Sequence, residues 1–179
     1  MFKKLKNTFT FNDYQIYQNR IKYGRTTDNV FYGLAYDLID YESNSNLFEV
    51  IPKRYQSYFN LLSMTINTHI TPHTDSGILC TINFYIESQN AITKFYKIKS
   101  SNPELNKLEN QTNGNIFDLA DLEEQSNFVA NNNEAFILDV TNPHSVTCTK
   151  YGTRKALVLQ TREFSYDEVC KMLEETTNL

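Results

Sequence analysis

From residue 63 onward the chain alternates. In Ser63-Met64-Thr65-Ile66-Asn67-Thr68-His69-Ile70 the even positions are mostly apolar and the odd ones polar, and Ile78-Leu79-Cys80-Thr81-Ile82-Asn83-Phe84-Tyr85-Ile86 repeats the arrangement. A period of two sends odd and even side chains to opposite faces of a strand. The polar positions share parity with His73 and Asp75. If the pleat runs through without a bulge, Thr65, Asn67, His69, Thr81, Asn83 and Tyr85 surround one polar cavity. The plainer alternative is a strand whose polar face meets solvent. Further strands are expected over 92–98, 135–140, 145–149 and 155–161.

Elsewhere the spacing changes. Val30, Phe31, Leu34, Ala35, Leu38 and Ile39 recur at helical intervals behind Asp28 or Asn29, either of which can cap a helix start. Asn44-Ser45-Asn46 breaks that pattern. A second helical stretch is expected over 53–61, a short helix over 118–125, and an amphipathic helix over 166–176 with Val169, Met172 and Leu173 on its packed side. Residues 100–115 are polar and bracketed by Asn, Pro and Gly, which predicts a mobile loop able to serve as a lid. Many short strands with turn signals, and helices mainly at the ends, predict a mainly β (α+β) protein built as a double-sheet barrel or jelly roll. One domain over 1–179 is expected, with a core at about 63–163, an N-terminal supporting segment over 1–62 and the C-terminal helix.

Composition narrows the function classes. The 179 residues are 40% hydrophobic and 21% charged, ordinary for a globular protein, and 12 Tyr with 12 Phe favour packed sheets. A net charge of −4 and a pI near 5.4 argue against a nucleic-acid backbone as the main partner. The basic runs Lys3-Lys4-Lys6, Lys53-Arg54 and Lys94-Lys97-Lys99 read as solvated faces. No stretch approaches the ~18 apolar residues of a membrane span. No signal peptide is visible, because Asn7, Thr8, Thr10 and Asn12 interrupt any apolar run behind Lys3-Lys4. Cys80, Cys148 and Cys170 are odd in number and form no CxxC pair. That spacing suits reduced thiols in the cytoplasm and argues against a zinc–thiolate site.

The chemistry gathers in His73-Thr74-Asp75, His144 and Arg154. Two neutral imidazoles and one carboxylate can hold one face of a ferrous ion and leave the other open. Thr71-Pro72 and Gly77 mark a bend around the first pair, and Asn142-Pro143 sets His144 at the head of another strand. Arg154, ten residues beyond His144, offers a rigid, permanently charged fork for a carboxylate. Arg162 shares its strand parity and competes for that role. His69 lacks the carboxylate spacing of His73-Asp75 and is left outside the triad. The plain alternative makes His73 a surface-turn histidine beside an Asx-turn aspartate.

Pro72-His73-Thr74-Asp75, the 80–86 strand, Thr93-Lys94-Phe95-Tyr96, Pro143-His144-Ser145-Val146 and Arg154 resemble the Fe(II)/2-oxoglutarate-dependent oxygenases. The likeness is to the small prolyl-hydroxylase-like branch that includes many phage and bacterial proteins, and it covers about residues 63–163. It implies a double-stranded β-helix (jelly-roll, cupin-like) core with flanking helices. It further implies Fe(II) on His73, Asp75 and His144, with 2-oxoglutarate as cosubstrate and O2 as oxidant. Arg154 and Tyr85 would bind the C5 carboxylate, and Asn83 the cosubstrate or substrate. Where prolyl hydroxylases often carry a Gly-Gly-Glu-Thr-like run, this chain has Asn90-Ala91-Ile92-Thr93. The implied activity is hydroxylation of a peptidyl or free amino acid such as proline, in the cytoplasm of a bacterium or phage-infected host. The alternatives are an oxygenase of a nucleobase or small metabolite, a cupin using another divalent metal, and a noncatalytic jelly-roll module that binds or builds.

Overall fold

The computed structural model describes residues 1–13, 16–23, 34–39, 42–75, 77–99, 106–107, 114–148 and 153–176. Its strands in chain order are β1 (Phe2–Lys4), β2 (Ile16–Tyr23), β3 (Leu34–Ile39), β4 (Phe59–Ile66), β5 (Ile70–His73), β6 (Cys80–Glu87) and β7 (Ile92–Ile98). Then come β8 (Asn106–Lys107), β9 (Asn115–Ile116), β10 (Leu122–Val129), β11 (Ala135–Leu138), β12 (His144–Thr147) and β13 (Arg154–Thr161). Among the described residues they form a seven-stranded sheet, β1-β11-β6-β13-β4-β3-β2, and a six-stranded one, β10-β7-β12-β5-β9-β8. Every pairing is antiparallel. The protein is therefore a mainly β sandwich with few helices.

From β4 to β7 successive strands alternate between the large and small sheets, and β11, β12 and β13 alternate again. This weave encloses one apolar cluster between the sheets, including Met64, Ile66, Phe95, Phe136, Val146 and Val158. A second cluster lies on the other side of the large sheet, where Ile82, Ile137 and Leu159 meet Leu47, Phe48 and Leu173. A cavity opens within the first.

Several expected elements are corrected. The helix expected across 28–39 is instead strand β3 over Leu34–Ile39, and its first residues fall outside those described. Pairing to β4 on one side and β2 on the other overrides the helical spacing of its apolar residues. The helix expected over 53–61 is a 3-10 segment over Lys53–Tyr58 that gives way to β4 at Phe59. The short helix over 118–125 shrinks to Leu119–Asp121, where Asp118 accepts from the Ala120 amide, and Leu122 already begins β10. The single strand expected over 63–70 is divided between β4 and β5. Parts of the 100–115 segment are paired: β8 joins β9, and β9 joins β5. Residues 100–105 and 108–113, on which the mobile-loop expectation also rests, lie outside the described residues.

The C-terminal helix α1 (Tyr166–Glu175) forms as expected and buries Val169, Cys170, Met172 and Leu173. Its start is a capping box: Ser165 Oγ accepts from the Glu168 amide, and the Glu168 carboxylate accepts from the Ser165 amide at 2.8 Å. Ser165→Ala is expected to lower stability by ~1 kcal/mol. A thermal melt should register this as a drop of about 2–4 °C. An unchanged midpoint would mean the helix is held by its packed face alone. All three cysteines are buried and free, and burial pushes each thiol above its ordinary range.

Candidate metal centre

His73 is the last residue of β5 and His144 the first of β12, and the two are register partners across an antiparallel pair. Their rings lie 4.3 Å apart between centroids. The irregularity that aligns them is in β5: Val146 pairs with Ile70 and His144 with His73, so two steps on β12 oppose three on β5. Pro72, with no amide hydrogen to give, stands in this bulge. The extra residue turns both Ile70 and His73 toward the interior.

Each histidine is oriented by its own backbone neighbourhood. His73 Nδ1 lies 2.8 Å from the Thr71 carbonyl, and His144 Nδ1 lies 3.0 Å from the Asn142 carbonyl. A carbonyl only accepts, so both Nδ1 atoms carry the hydrogen, and Nε2 is the atom each ring can offer a metal. Those Nε2 atoms converge on Asp75 Oδ1, at 3.4 Å from His73 and 3.9 Å from His144. One donor atom from each residue falls within 4.8 Å of the other two. The imidazoles are largely buried, whereas the Asp75 side chain keeps 24% of its surface exposed, so the cluster faces solvent on the carboxylate side.

The electrostatics prepare these groups as donors. Burial works to raise the Asp75 carboxyl, but the hydrogen bond with His73 and the charges of His144 and His73 outweigh it and hold the carboxyl below its ordinary value. Burial, reinforced by His73, pushes the His144 imidazole from 6.5 down to about 4. At neutral pH the pair is therefore set as carboxylate and neutral imidazole, the states that ligate a divalent metal.

Arg154 lies in the same cavity, on the first residue of β13, and is 1% exposed. Its Nη1 donates to Thr93 Oγ1 at 2.7 Å, and its guanidinium carbon stands 4.3 Å from the Tyr85 ring centroid. Nε and Nη2 are buried with no hydrogen-bond partner among the described residues. Asn83 and Thr81 share the cavity on β6, and Asn83 Nδ2 donates weakly to the Tyr85 hydroxyl at 3.5 Å. Arg162, the competing arginine, is exposed and does not line the cavity.

The expected polar ring is thus half corrected. Thr81, Asn83 and Tyr85 line the cavity, but Thr65, Asn67 and His69 do not; Met64, Ile66 and Ile70 take their places. The bulge in β5 breaks the parity that would have carried the odd positions inward. His69 is exposed, accepts from the Cys148 amide through Nδ1 at 3.2 Å, and lines a separate groove of about 620 Å³ on the outer face of the small sheet. Sequence reasoning also missed three contributors. Leu34 and Tyr36 enter the cavity wall from the strand expected to be helical. Thr93 anchors Arg154; its polar side chain on the same face of β7 as buried Phe95 was the available signal.

No protein-family model matches the chain, and no curated protein sequence matches it. Among solved structures it is similar to vicilin from Corylus avellana (hazelnut), with 11% identity over 72% of this chain and a TM-score of 0.39. The chain spans 28% of the vicilin chain.

Proposed function

We propose that this chain is an Fe(II)- and 2-oxoglutarate-dependent dioxygenase on a double-stranded β-helix, hydroxylating a C–H bond of a peptidyl or free amino acid. Proline is the first substrate to test. The observation that carries the reading is Arg154: a buried guanidinium with Nε and Nη2 unpartnered among the described residues, in one cavity with a two-histidine, one-carboxylate cluster. The alternation of β4 through β7 and β11 through β13 between the sheets supports the jelly-roll weave.

The residues fit the absent groups by donor chemistry. His73, Asp75 and His144 would hold Fe(II) on one face. The Arg154 Nε and Nη2 edge, with the Tyr85 hydroxyl, would take the distal carboxylate of 2-oxoglutarate. When bound, iron and cosubstrate supply the oxidising chemistry that protein side chains lack. The chain's own part is to fix ligand geometry, neutralise the cosubstrate's charge and keep water away. Met64, Ile66, Leu138 and Val140 wall the cavity with apolar surface. At about 40 Å³ the cavity has room for a small solvent molecule but not for a five-carbon diacid, so admitting the cosubstrate requires lining side chains to give way. The acidic surface favours a peptide or small molecule over nucleic acid as substrate, and a cytoplasmic setting suits the free thiols.

Anaerobic titration of the Fe(II)-loaded protein with 2-oxoglutarate tests this directly. The expected result is the weak visible charge-transfer band of the chelate, saturating at one equivalent per chain. Iron binding without the band would leave a metal-binding cupin that uses a different chemistry. No iron binding at all would leave a noncatalytic sandwich.

A further inference from the structure

Thr74 stands between the two ligands of the His73–Asp75 pair, and a segment some forty residues downstream grips it. Its amide donates to the Asn115 carbonyl at 2.9 Å, and its Oγ1 accepts from the Asn115 amide at 3.2 Å. One residue thus closes a two-way bracket, half through its backbone and half through its side chain. Just upstream of Thr74, His73 pairs with Ile116, and the Phe117 amide donates to the Pro72 carbonyl at 3.0 Å. Beyond the bracket, the Asp75 amide donates to the Val140 carbonyl at 3.0 Å.

The close approach has a steric condition. Gly114 has φ +59°, and a Cβ there would lie 1.4 Å from the Thr74 carbonyl oxygen. That contact is with backbone, so no rotamer relieves it. The absence of a side chain at 114 lets the downstream segment lie flat against the carbonyl between the two ligands.

We infer that Thr74 is a positioning residue for the metal centre: its hydroxyl, bracketed by Asn115 over the gap that Gly114 leaves, fixes the angle between His73 and Asp75. The inference rests on the metal-centre reading above. The Thr74 amide already ties the sheet edge to the Asn115 carbonyl, so the hydroxyl is a second hold on the two-residue β9. The Thr74 hydroxyl adds a constraint on the turn from His73 to Asp75. Without it, the Asp75 carboxylate swings away from the two Nε2 atoms while the sheet persists.

Thr74→Val keeps the branched shape and deletes the acceptor; Thr74→Ser restores it. Each variant, and the wild type, is titrated with Co(II) alone below its own apo unfolding midpoint, recording affinity and the visible absorption of each bound ion. Loss of an outer partner of a metal ligand typically weakens binding ~10–100-fold. That loss is expected for Thr74→Val, together with an altered Co(II) spectrum, and Thr74→Ser should recover both. A Thr74→Val protein with wild-type affinity and spectrum overturns the inference and leaves the metal centre standing, even if that variant melts early. A wild type that takes up no Co(II) overturns the metal centre and this inference together.

Discussion

Replacing His73, Asp75 or His144 singly with alanine is expected to abolish stoichiometric Fe(II) binding, raising the dissociation constant by more than ~100-fold. The bound comes from chemistry: groups that only touch a ligand already contribute about 10–100-fold, and these three supply the donor atoms themselves. A thermal melt with and without Fe(II) provides a second readout. A metal that binds only the folded chain stabilises it by about 2.7 kcal/mol when present at ~100 times its dissociation constant. The wild-type midpoint should therefore rise on adding Fe(II), and the midpoints of the three variants should not. Asp75→Asn sharpens the test, because it keeps the side chain's shape and removes the charge that the two imidazoles favour. His144→Ala also leaves space beside the Phe95 ring, which stacks on the imidazole at 5.7 Å. Some loss of apo stability is expected there independently of metal, so the Fe(II)-dependent shift is the quantity to compare. A His144→Ala protein that still took one Fe(II) and showed the wild-type shift would remove the triad from consideration.

The same residues show how far the sequence carries. That His73 and Asp75 come together was legible, because side chains two apart on an extended segment project to the same side with no knowledge of tertiary contacts. Strand β7 was read over its full length, since β-favouring Ile, Thr, Phe and Tyr fill Ile92–Ile98. The error in the cavity lining comes from one residue. Alternation predicts the inward face only while the pleat is unbroken, and the bulge at Thr71–Pro72 shifts the phase by one between Ile70 and His73. Pro72 was a visible sign of irregularity, but its effect on phase depends on the register with β12, which no local pattern encodes. Strand β3 was misread because Leu34, Leu38 and Ile39 satisfy helical spacing, and only the neighbouring strands decide otherwise. The grip on Thr74 was also illegible, since it joins residues some forty positions apart through backbone groups and one hydroxyl, a pairing no local pattern encodes.

Arg154→Met is expected to make the protein more stable and unable to hold 2-oxoglutarate, two effects of opposite sign from one substitution. The guanidinium is 1% exposed, and its Nη1 donates to Thr93. The ring of Tyr85 at 4.3 Å offsets part of the desolvation, yet Nε and Nη2 remain unpartnered among the described residues. Exchanging buried ionic groups for apolar side chains of similar volume is often neutral or stabilises by about 1–4 kcal/mol, and Met is flexible enough to fill this space. The apo melting temperature of Arg154→Met should therefore rise. In exchange, the cosubstrate carboxylate would lose two charge-assisted hydrogen bonds, each worth about 1.5–3 kcal/mol. Together these correspond to a ~10²–10⁴-fold weaker dissociation constant, read as loss of the chelate band at concentrations that saturate the wild type. Fe(II) affinity should be unchanged, because Arg154 is not a ligand. Arg154→Lys should fall between, keeping a charge without the planar fork that matches a carboxylate. A destabilised Arg154→Met that binds 2-oxoglutarate as well as wild type would make the arginine a packing element tied to Thr93 and Tyr85, and the anion site would have to lie elsewhere. A buried cation with Nε and Nη2 unpartnered among the described residues is otherwise a standing cost to the fold, and the anion it would receive would give that cost a function.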